Sequence, residues 1–584
     1  MNFLNWNEFS RYATYFVLIF VLLLTLIFRF WQLELIPSGL NWDEAAYGYN
    51  SYSLLLTGND EWGVSWPIFL RSFGDFKPAL LSYLQIPLIY FNGLTTNSLR
   101  IPVALLGVIS LISWWTIQNK LELFSTKKYS KLMPLIGLLL LATSPWHIHY
   151  SRSAMDPIVS FAFLMMGYAL FIQKQAALRW FGVASLILSM YTYNSARLFV
   201  PILLLLHLII FELPIIQKYR KNLYRLWQFV VIWLSCLLIL AATLFTEVGS
   251  RAQSVFILNK PQIQDQTNES IYRSTALGMK GLRFYSNKAI TATYEVTKNY
   301  ISHFDPLFLY FDHNLSARHG FSRHGNLLLI TLPFLVWGLF SANVKSKRNL
   351  FFLLWLILAP IPSALSDDVP HSGRTLIMLP AIIYFISMGM EKFFLMADSV
   401  KLRLHKKLPN YLLPMLVVVG LSLNAGLYFV DLYRYFPEDS YFDWQGDAHT
   451  IVELIKEIDT EEDESIVVTN ELLESYIFYA FYTQLDPKVL QAQHNAVDLN
   501  TYGEVSIDDV DVCTLLKPNT LVITTQDYTL SLPKAVLDEN EKLYSETIWP
   551  FNRFSQGKPL GYVYRSNLIT PKAQAAIEGL CEVD

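Results

Sequence analysis

Long apolar runs alternate with short polar segments along the first 431 residues. The first run, "YATYFVLIFVLLLTLIFRFW", is long enough to cross about 30 Å of hydrocarbon and ends in Arg, Phe and Trp. A cleaved signal peptide would have a shorter apolar region and small residues at its end. We therefore predict an uncleaved membrane helix over 12–31. Further spans are predicted near 99–118, 132–148, 157–173, 177–193, 196–211, 226–245, 326–341, 349–365, 374–396 and 410–431.

Residues 79–92, "ALLSYLQIPLIYFN", are apolar but too short for a typical span, and their length is that of an interfacial helix. The distribution of basic residues indicates whether this segment is a membrane span, because cytoplasmic loops are rich in Lys and Arg. If 79–92 lies flat on the membrane and the N-terminus is cytoplasmic, the five inner loops hold 17 Lys or Arg against three acids. We therefore predict eleven spans. The predicted outer segments are 32–98, 246–325, 366–373 and 432–584.

The tail after residue 431 has a different pattern. A helical pattern, "AHTIVELIKEI", precedes a strand, "ESIVVTN", a second helix, "LLESYIFYAFYTQ", and a second strand, "TLVITT"; "KLYSETIW" and "GYVYRSN" follow. Strands that alternate with helices indicate a small α/β domain. The predicted fold is a polytopic α-helical membrane domain over 1–431 and an extracytoplasmic α/β domain over 432–584.

The composition agrees with a membrane protein. Charged residues make up 16% of the 584 residues, against about 25% in soluble domains, and the mean hydropathy is +0.32. A net charge of −3 gives no basic field for nucleic acid. The three cysteines lack metal-ligand spacing; Cys236 lies in an apolar run, whereas Cys513 and Cys581 can pair if the tail faces an oxidising compartment.

Polar residues concentrate at the predicted outer ends of the spans. Ionisable groups at membrane depth are costly and usually functional. We therefore hypothesise that these segments converge on one outward-facing cavity. They are "WDEAAYGYN", "GDFKPALLSY", "SPWHIHYSRSAMDP", "YTYNSARLFVP", "DHNLSARHGFSRHG" and "SDDVPHSGR".

Two candidate positions lie in the first outer segment. In "LNWDEAAYGYN", Asp43 and Glu44 fit a helix N-terminus, with Asp43 as the N-cap. They also fit a catalytic role, because a carboxylate in a partly dry, aromatic pocket can act as a general base. Lys77, beside Pro78, either snorkels towards lipid headgroups or supplies a charge for a phosphate.

The later outer segments hold further candidates. Arg152 and Asp156 are four residues apart and could pair with each other. The "RHGFSRHG" loop, which contains Arg323, is either a solvated basic loop or an anion site, and Arg374 either snorkels or faces a buried phosphate. His147 and His149 form H-x-H without a recognisable third ligand, which favours an interfacial belt over a metal site.

The order of these motifs resembles that of the GT-C glycosyltransferases of the protein O-mannosyltransferase and aminoarabinose-transferase group, which is polyprenol-phosphate-sugar-dependent and glycosyltransferase family 39-like. The similarity covers about 1–431. Relatives often place Glu or His immediately before the Lys-Pro pair, where this chain has Phe76 after Asp75. The matching motifs are "NWDEAAY", "FKPALLSYL", "LRIPVAL" and "SPWHIHYSRSAMDP", followed by an Arg-rich loop closed by Gly and an Arg-led span.

The resemblance implies inverting transfer of a sugar from a polyprenyl-phosphate-linked donor to an acceptor hydroxyl of a protein, lipid or glycan. It implies that Asp43 is the base and that Glu44 orients the loop or the acceptor. The donor phosphate would be stabilised by Lys77 with Arg152, Arg323 or Arg374. Asp156 would hold a sugar hydroxyl or fix Arg152.

Other functions stay open at this stage. A related enzyme, an oligosaccharyltransferase or a polysaccharide polymerase, is one alternative; the oligosaccharyltransferase would use a metal, for which Asp43, Glu44 and Asp156 could be ligands. A transporter of lipid-linked glycans would have inverted repeats and broken spans at mid-membrane, whereas the polar residues here lie at span ends. A polytopic scaffold whose tail binds a partner is a further alternative. We expect no organic cofactor, because the sequence has neither G-x-G-x-x-G nor a Walker loop; a divalent metal is left open.

Overall fold

The computed structural model describes most of the 584-residue chain. Parts of the predicted loops 119–131, 212–225, 246–325 and 397–408, and part of "KLYSETIW", lie outside the described residues. The described residues are 6–124, 129–214, 224–245, 256–277, 284–311, 316–321, 323–403, 412–458, 464–471, 476–493, 501–502, 505–525, 546–548, 561–569 and 571–581.

Helices dominate the described chain before residue 431, and each predicted apolar run falls on helix. They are α1 (Trp6–Phe30), α2 (Trp42–Thr57), α3 (Leu80–Asn92), α4 (Thr96–Lys120), α5 (Leu132–Ala142), α6 (Pro145–Ser151), α7 (Asp156–Phe171), α8 (Ala176–Thr192), α9 (Asn194–His207), α10 (Tyr224–Phe245), α11 (Pro261–Ala276), α12 (Lys288–Ser302), α13 (Pro306–Tyr310), α14 (Leu332–Phe340), α15 (Lys347–Leu358), α16 (Ile361–Ala364), α17 (Ser372–Thr375), α18 (Leu379–Arg403) and α19 (Leu412–Val430). Two short strands, β1 (Phe69–Ser72) and β2 (Asp75–Pro78), pair with each other. Five-residue π-helices, Leu208–Glu212 and Asp431–Tyr435, follow α9 and α19.

Several helices have the length and composition of membrane spans. Within the described ranges, Thr96–Lys120, Asn194–Glu212, Ser372–Ser399 and Met415–Asp439 are long and apolar enough to cross a bilayer. The pair α5 and α6, bent by 53°, would make a fifth span if it is counted as one. Shorter apolar helices cover other predicted runs. The chain is thus a membrane protein, and the count of eleven spans stays a prediction.

The bend between α5 and α6 follows from the local sequence. Ser144 is the N-cap of α6 and accepts a hydrogen bond from the backbone N–H of His147, and Pro145 occupies the first turn. Proline has no N–H to donate to the preceding turn, so the chain starts a new helix here instead of continuing α5. The predicted single run 132–148 is therefore two helices.

One compact unit comprises the described residues of Met1–Leu33, Arg71–Leu81 and Arg100–Tyr433, and we call it the first unit. Its helices pack closely through small residues. A Cβ at Gly338 would overlap the carbonyl oxygen of Phe385, and one at Gly389 would overlap that of Phe334. Helices α14 and α18 can therefore approach at backbone distance, as small residues allow between membrane helices.

The second unit comprises the described residues of Glu34–Leu70, Ser82–Leu99 and Arg434–Asp584. After residue 433 its helices are α20 (Phe436–Asp439), α21 (Gly446–Glu457), α22 (Tyr476–Thr483), α23 (Pro487–Gln493) and α24 (Pro571–Cys581). Its strands are β3 (Ser465–Thr469), β4 (Thr501–Tyr502), β5 (Val505–Asp508), β6 (Thr520–Thr524), β7 (Glu546–Ile548) and β8 (Gly561–Arg565). The predicted helix and strand patterns of the tail are thus present in its described residues; residues 472–475 of "LLESYIFYAFYTQ" lie outside them.

The sheet of the second unit is mixed, with strand order β4-β5-β3-β6-β8-β7. Strand β3 is parallel to β5 and β6, and the outer pairings are antiparallel. Every side chain of β6 is buried, as expected for a central strand. A disulfide joins Cys513 to Cys581 at the end of α24, and Cys236 is a buried free thiol. A domain boundary at residue 431 stays a prediction.

Candidate active site

Helix α2 begins directly after Asn41, which is its N-cap. The Asn41 side chain accepts a hydrogen bond from the Asp43 N–H at 2.9 Å, and Glu44 Oε2 accepts one from the Asn41 N–H at 3.3 Å. This reciprocal pair is a capping box. The expectation that Asp43 is the N-cap is therefore wrong. Asp43 lies inside the first turn, where a negative charge complements the helix dipole.

The two adjacent acids differ in environment. The Glu44 side chain is 0% exposed and is used in the capping box, whereas Asp43 is half-buried. Glu44 thus has a structural task within α2 that the sequence alone does not reveal. Asp43 is the acid with access to solvent and so the better candidate for proton transfer.

A second acid pair in the same predicted outer segment was missed by the sequence reasoning. Glu61 is 0% exposed and accepts hydrogen bonds from Asn50 Nδ2 at 3.0 Å and from the Tyr476 hydroxyl at 2.9 Å. The preceding Asp60 is also buried, and burial raises its pKa. Adjacent acids in "GNDEWG", which repeat the pattern of "NWDEAA", were the available signal.

Lys77 lies on β2 in the first unit, and its side chain is only 6% exposed. Its ammonium group is 5.2 Å from the ring centroid of Phe73, within the range of a cation–π contact. A lysine that snorkels along the membrane surface would expose its charged end. The burial of Lys77 therefore speaks against a snorkelling lysine, and its contact with a donor phosphate stays a prediction.

The backbone after Lys77 is attached to the C-terminal end of α8. The Ala79 N–H donates a hydrogen bond to the Tyr191 hydroxyl at 3.0 Å. Arg197, at the start of α9, donates from Nε to the Met190 carbonyl at 3.0 Å and from a terminal nitrogen to the Tyr191 carbonyl at 3.2 Å. Tyr191 and Arg197 lie in the polar stretch "YTYNSARLFVP", but sequence reasoning did not select either residue.

Asp156 begins α7, so its carboxylate lies at a helix N-terminus. The Asp156 carboxylate also interacts electrostatically with the buried guanidinium of Arg197. Through Arg197, Asp156 is thus connected to the segment that carries Lys77.

Arg152 is 1% exposed and caps the C-terminal end of α1. It donates hydrogen bonds to the carbonyl oxygens of Phe28 at 2.9 Å, Trp31 at 3.0 Å and Gln32 at 3.1 Å. Arginine side chains satisfy terminal helix carbonyls in this way. These contacts give Arg152 a structural role. The sequence analysis had considered only pairing with Asp156 or contact with the donor phosphate. Its assignment to the donor phosphate stays untested.

Arg374 lies in α17, and we call the segment 366–374, which follows α16 and includes the start of α17, the turn. The Arg374 guanidinium donates to the Ser366 hydroxyl at 2.5 Å and to the Asp368 carbonyl at 2.9 Å. Its backbone N–H donates to His371 Nδ1 at 3.3 Å, so His371 caps the start of α17. Arg374 is partly buried and fixed to the turn, and it is not a freely snorkelling residue.

Three side chains at this turn could hold a metal ion. The ligand atoms of His319, Asp368 and His371 all lie within 4.8 Å of one another. The hydroxyl of Tyr150 is 3.4 Å from His319 Nδ1, which is the type of outer partner that a metal-bound histidine uses. This set contains none of the acids that the sequence analysis named as possible metal ligands, which are Asp43, Glu44 and Asp156.

Arg323 is exposed, and it follows the loop that contacts the turn. The Ser372 hydroxyl donates to the His319 carbonyl and also bonds the Tyr150 hydroxyl. His149 Nε2 bonds the Arg318 carbonyl at 2.8 Å. Loop 316–321, helix α6 and the turn therefore form one hydrogen-bonded cluster.

His147 and His149 are buried inside the first unit, so the expected interfacial belt is wrong. His147 Nδ1 is 2.8 Å from the guanidinium of Arg29, and its Nε2 is 2.6 Å from the Ser110 hydroxyl. These contacts join α1, α4 and α6. The H-x-H pattern therefore lies at a place where helices pack against each other.

Within the first unit, five of the six polar segments predicted at outer span ends meet in two adjoining groups. One group links Lys77, Tyr191, Arg197 and Asp156, and the other links Tyr150, His319, the turn and Arg374. A Cβ at Gly373 would lie 2.8 Å from the Tyr150 hydroxyl and 3.0 Å from Pro157, so the turn packs against the start of α7. Asp43 and Glu44 belong to the second unit.

Comparison with known proteins gives the fold. No protein-family model and no curated protein matches the chain. Among solved structures, ArnT from Cupriavidus metallidurans bound to undecaprenyl phosphate is similar at a TM-score of 0.50 and 12% identity, over 95% of this chain and 99% of that chain. The apo structure of the same protein gives a TM-score of 0.49 at 12% identity, over 96% of this chain and 100% of that chain.

The Archaeoglobus fulgidus oligosaccharyltransferase gives a TM-score of 0.43 at 14% identity, over 82% of this chain and 64% of that chain. The similarity to ArnT confirms, at the level of the fold, the resemblance to the GT-C glycosyltransferases. The chain therefore has the fold of a GT-C membrane protein. An identity of 12% carries no information about its substrates.

Proposed function

We propose that the chain is a membrane glycosyltransferase, which transfers a sugar from a polyprenyl-phosphate-linked donor to an acceptor hydroxyl on the outer face of the membrane. The observation that carries this proposal is the buried Lys77, whose backbone is fixed to α8 through Ala79 and Tyr191. A buried ammonium group favours an anionic partner. A lipid phosphate is such an anion, and ArnT, which has this fold, binds undecaprenyl phosphate.

In the proposed reaction, Asp43 accepts the proton of the acceptor hydroxyl. The acceptor oxygen then attacks the anomeric carbon of the sugar as the bond from this carbon to the phosphate oxygen breaks, so the configuration inverts. The polyprenyl phosphate leaves as a stable anion, and no general acid is needed. A glycosidase, by contrast, uses two carboxylates. Lys77, with Arg323 and Arg374, stabilises the negative charge that develops on the leaving phosphate.

We propose structural roles for three other candidate residues, on the basis of their contacts. We assign Arg152 to holding the end of α1, because its guanidinium already donates to three carbonyl groups. Glu44 maintains the first turn of α2. Asp156 holds Arg197 electrostatically. We propose Asp43 for the acceptor proton, and Lys77, Arg323 and Arg374 for the donor phosphate.

We further propose a multi-pass protein of the cell membrane with eleven spans, a cytoplasmic N-terminus and the tail outside. The disulfide between Cys513 and Cys581 supports an outer tail, because disulfides persist in oxidising compartments. A C-terminal reporter that is active only in the cytoplasm should stay silent. An active reporter would contradict the arrangement, because the five basic loops would then lie on the wrong side.

One observation favours a second candidate function. The group of His319, Asp368 and His371 could bind a divalent metal, which an oligosaccharyltransferase-like enzyme would require. Dependence of transfer on an added divalent metal would separate that enzyme from a transferase that uses only Asp43 and the basic residues proposed above.

The proposal is tested by deleting the gene and analysing envelope glycans, glycolipids and glycoproteins by mass spectrometry. We expect loss of one sugar modification and accumulation of its polyprenyl-phosphate-linked donor. Wild-type protein should restore the modification, and Asp43→Asn protein at equal membrane abundance should not. Unchanged glycans together with no binding of undecaprenyl phosphate by the purified protein would contradict the proposal.

A further inference from the structure

The backbone around Lys77 offers few groups that can anchor it. Pro78 has no N–H, so Ala79 supplies the first backbone donor after Lys77. Ala79 is 0% exposed and stands immediately before α3, where backbone N–H groups have no partner within the helix. The Tyr191 hydroxyl accepts this N–H at 3.0 Å. One side chain thus satisfies a buried donor two residues from the proposed phosphate-binding lysine.

Tyr191 is itself held in place. It lies in the last turn of α8, where the Met190 and Tyr191 carbonyls accept the two hydrogen bonds from Arg197. The Arg197 guanidinium is buried and is stabilised by the Asp156 carboxylate. One electrostatic interaction, between Asp156 and Arg197, and three hydrogen bonds therefore connect Asp156 with the segment of Lys77.

This arrangement matters for a lysine in particular. The lysine side chain is long and flexible, and binding a phosphate with it costs conformational entropy. Fixing the backbone after the residue, and holding its ammonium group beside an aromatic ring, removes part of that cost before the ligand arrives. The Lys77 ammonium group lies 5.2 Å from the centroid of the Phe73 ring. The backbone N–H of Ala79 donates its hydrogen bond to the Tyr191 hydroxyl.

We propose that Tyr191 is a positioning residue of the donor site, which holds the Lys77–Ala79 backbone so that the Lys77 ammonium meets a lipid-linked phosphate at a fixed place. Arg197 and Asp156 hold Tyr191 in turn. This inference rests on the proposed function. Tyr191 makes no contact with the reacting atoms in this scheme, and its effect on the donor passes entirely through Lys77.

The test is a double-mutant cycle on the full-length purified protein, with undecaprenyl phosphate as the probe. Tyr191→Phe keeps the ring and removes the acceptor of the Ala79 N–H, and we expect about 5- to 30-fold weaker binding. Lys77→Ala should weaken binding at least as much. In the Lys77→Ala background, Tyr191→Phe should have no further effect, because the residue through which it acts is gone.

Two controls separate positioning from general loss of structure. Tyr129→Phe removes another tyrosine hydroxyl of the first unit, one that donates to Asp398, and it should leave binding unchanged. Arg197→Lys keeps the charge beside Asp156 but cannot donate to both the Met190 and the Tyr191 carbonyl at the end of α8. Like Tyr191→Phe, it should weaken the binding of undecaprenyl phosphate.

Each outcome has a defined meaning. If Lys77→Ala weakens binding and Tyr191→Phe leaves it unchanged, or if the two losses multiply in the double variant, the positioning role is wrong and the proposed function stands. If wild-type protein does not bind undecaprenyl phosphate, both are wrong. If Tyr191→Phe lowers the yield of folded protein, Arg197→Lys takes its place in the double-mutant cycle with Lys77→Ala. Arg197→Lys should then cause no further loss of binding in the Lys77→Ala background.

Discussion

The carboxylate of Glu44 accepts a hydrogen bond from the backbone N–H of Asn41, and this contact closes the first turn of α2. Asp43, immediately before Glu44, is half-buried within the same turn. The adjacent acids therefore divide into one that stabilises the helix start and one that is a candidate base. Substitutions at the two positions should affect different measurements.

Glu44→Ala should lower the free energy of unfolding by about 1 kcal/mol, because the Asn41 N–H loses its partner. Glu44→Gln should be nearly neutral, since glutamine fits the same position of a capping box. Thermal unfolding of the purified protein in detergent measures both, and transfer is assayed well below the unfolding temperature. A Glu44→Gln protein that is stable but inactive would show that the charge of Glu44 takes part in the chemistry.

Arg152→Lys should destabilise the protein by about 1–3 kcal/mol, because a lysine cannot reach the three carbonyl groups at the end of α1 together. The KM for the lipid donor should hardly change. The exposed Arg323 is the matched comparison: Arg323→Gln should leave the unfolding temperature unchanged and raise the donor KM. If Arg152→Lys instead raised the donor KM without loss of stability, Arg152 would belong to the phosphate site.

Stability should fall in acid because of His303. Its ring is buried and bonds the Ser363 hydroxyl at 2.9 Å, and burial, with the nearby Arg374 charge, lowers its pKa to about 4. The unfolded histidine has a pKa of about 6.5. Its contribution is therefore complete above pH 6.5 and declines by about 1.4 kcal/mol per pH unit between 6.5 and 4.

The measurement for His303 is the unfolding temperature between pH 7.5 and 4.5. His303→Gln should flatten the decline in stability. Some slope should persist, because burial also lowers the pKa of His371. An identical slope in the wild type and in His303→Gln would show that His303 does not titrate with folding.

Chelation by EDTA should leave transfer unchanged. The proposed phosphate site uses lysine and arginine, and His371 already has a structural task as the cap of α17. Activity is measured before and after chelation, with His319→Ala as the companion variant. Loss of transfer that added Zn²⁺ or Mn²⁺ restores in the wild type but not in His319→Ala would instead favour the metal-dependent alternative.

The sequence predicted the elements better than the roles of individual polar residues. The apolar runs fall on helices because burial in lipid forces backbone hydrogen bonds to close within the segment. The tail strands were predictable because "SIVVT" and "TLVIT" are rich in β-branched residues. The hypothesis that the six polar segments converge was only partly useful, because five of them meet in the first unit and form two groups there.

The sequence could not show which atoms those segments join. The three carbonyl partners of Arg152 are backbone groups more than 100 positions away, and no side-chain pattern marks them. The N-cap was misplaced because Asn41 and Asp43 are both good capping residues, two positions apart. The partners of Glu61 were hidden because Tyr476 is 415 positions away.

The most direct measurement is the transfer rate of Asp43→Asn with a saturating lipid-linked donor. Asparagine keeps the size of the side chain, and within the first turn of α2 it forfeits only a charge–dipole contribution of about 0.3–1 kcal/mol. Loss of a general base costs about 10²- to 10⁴-fold in rate. We predict a loss of this size at unchanged membrane abundance and unchanged binding of undecaprenyl phosphate. Transfer near the wild-type rate would contradict the assignment of Asp43 as the base.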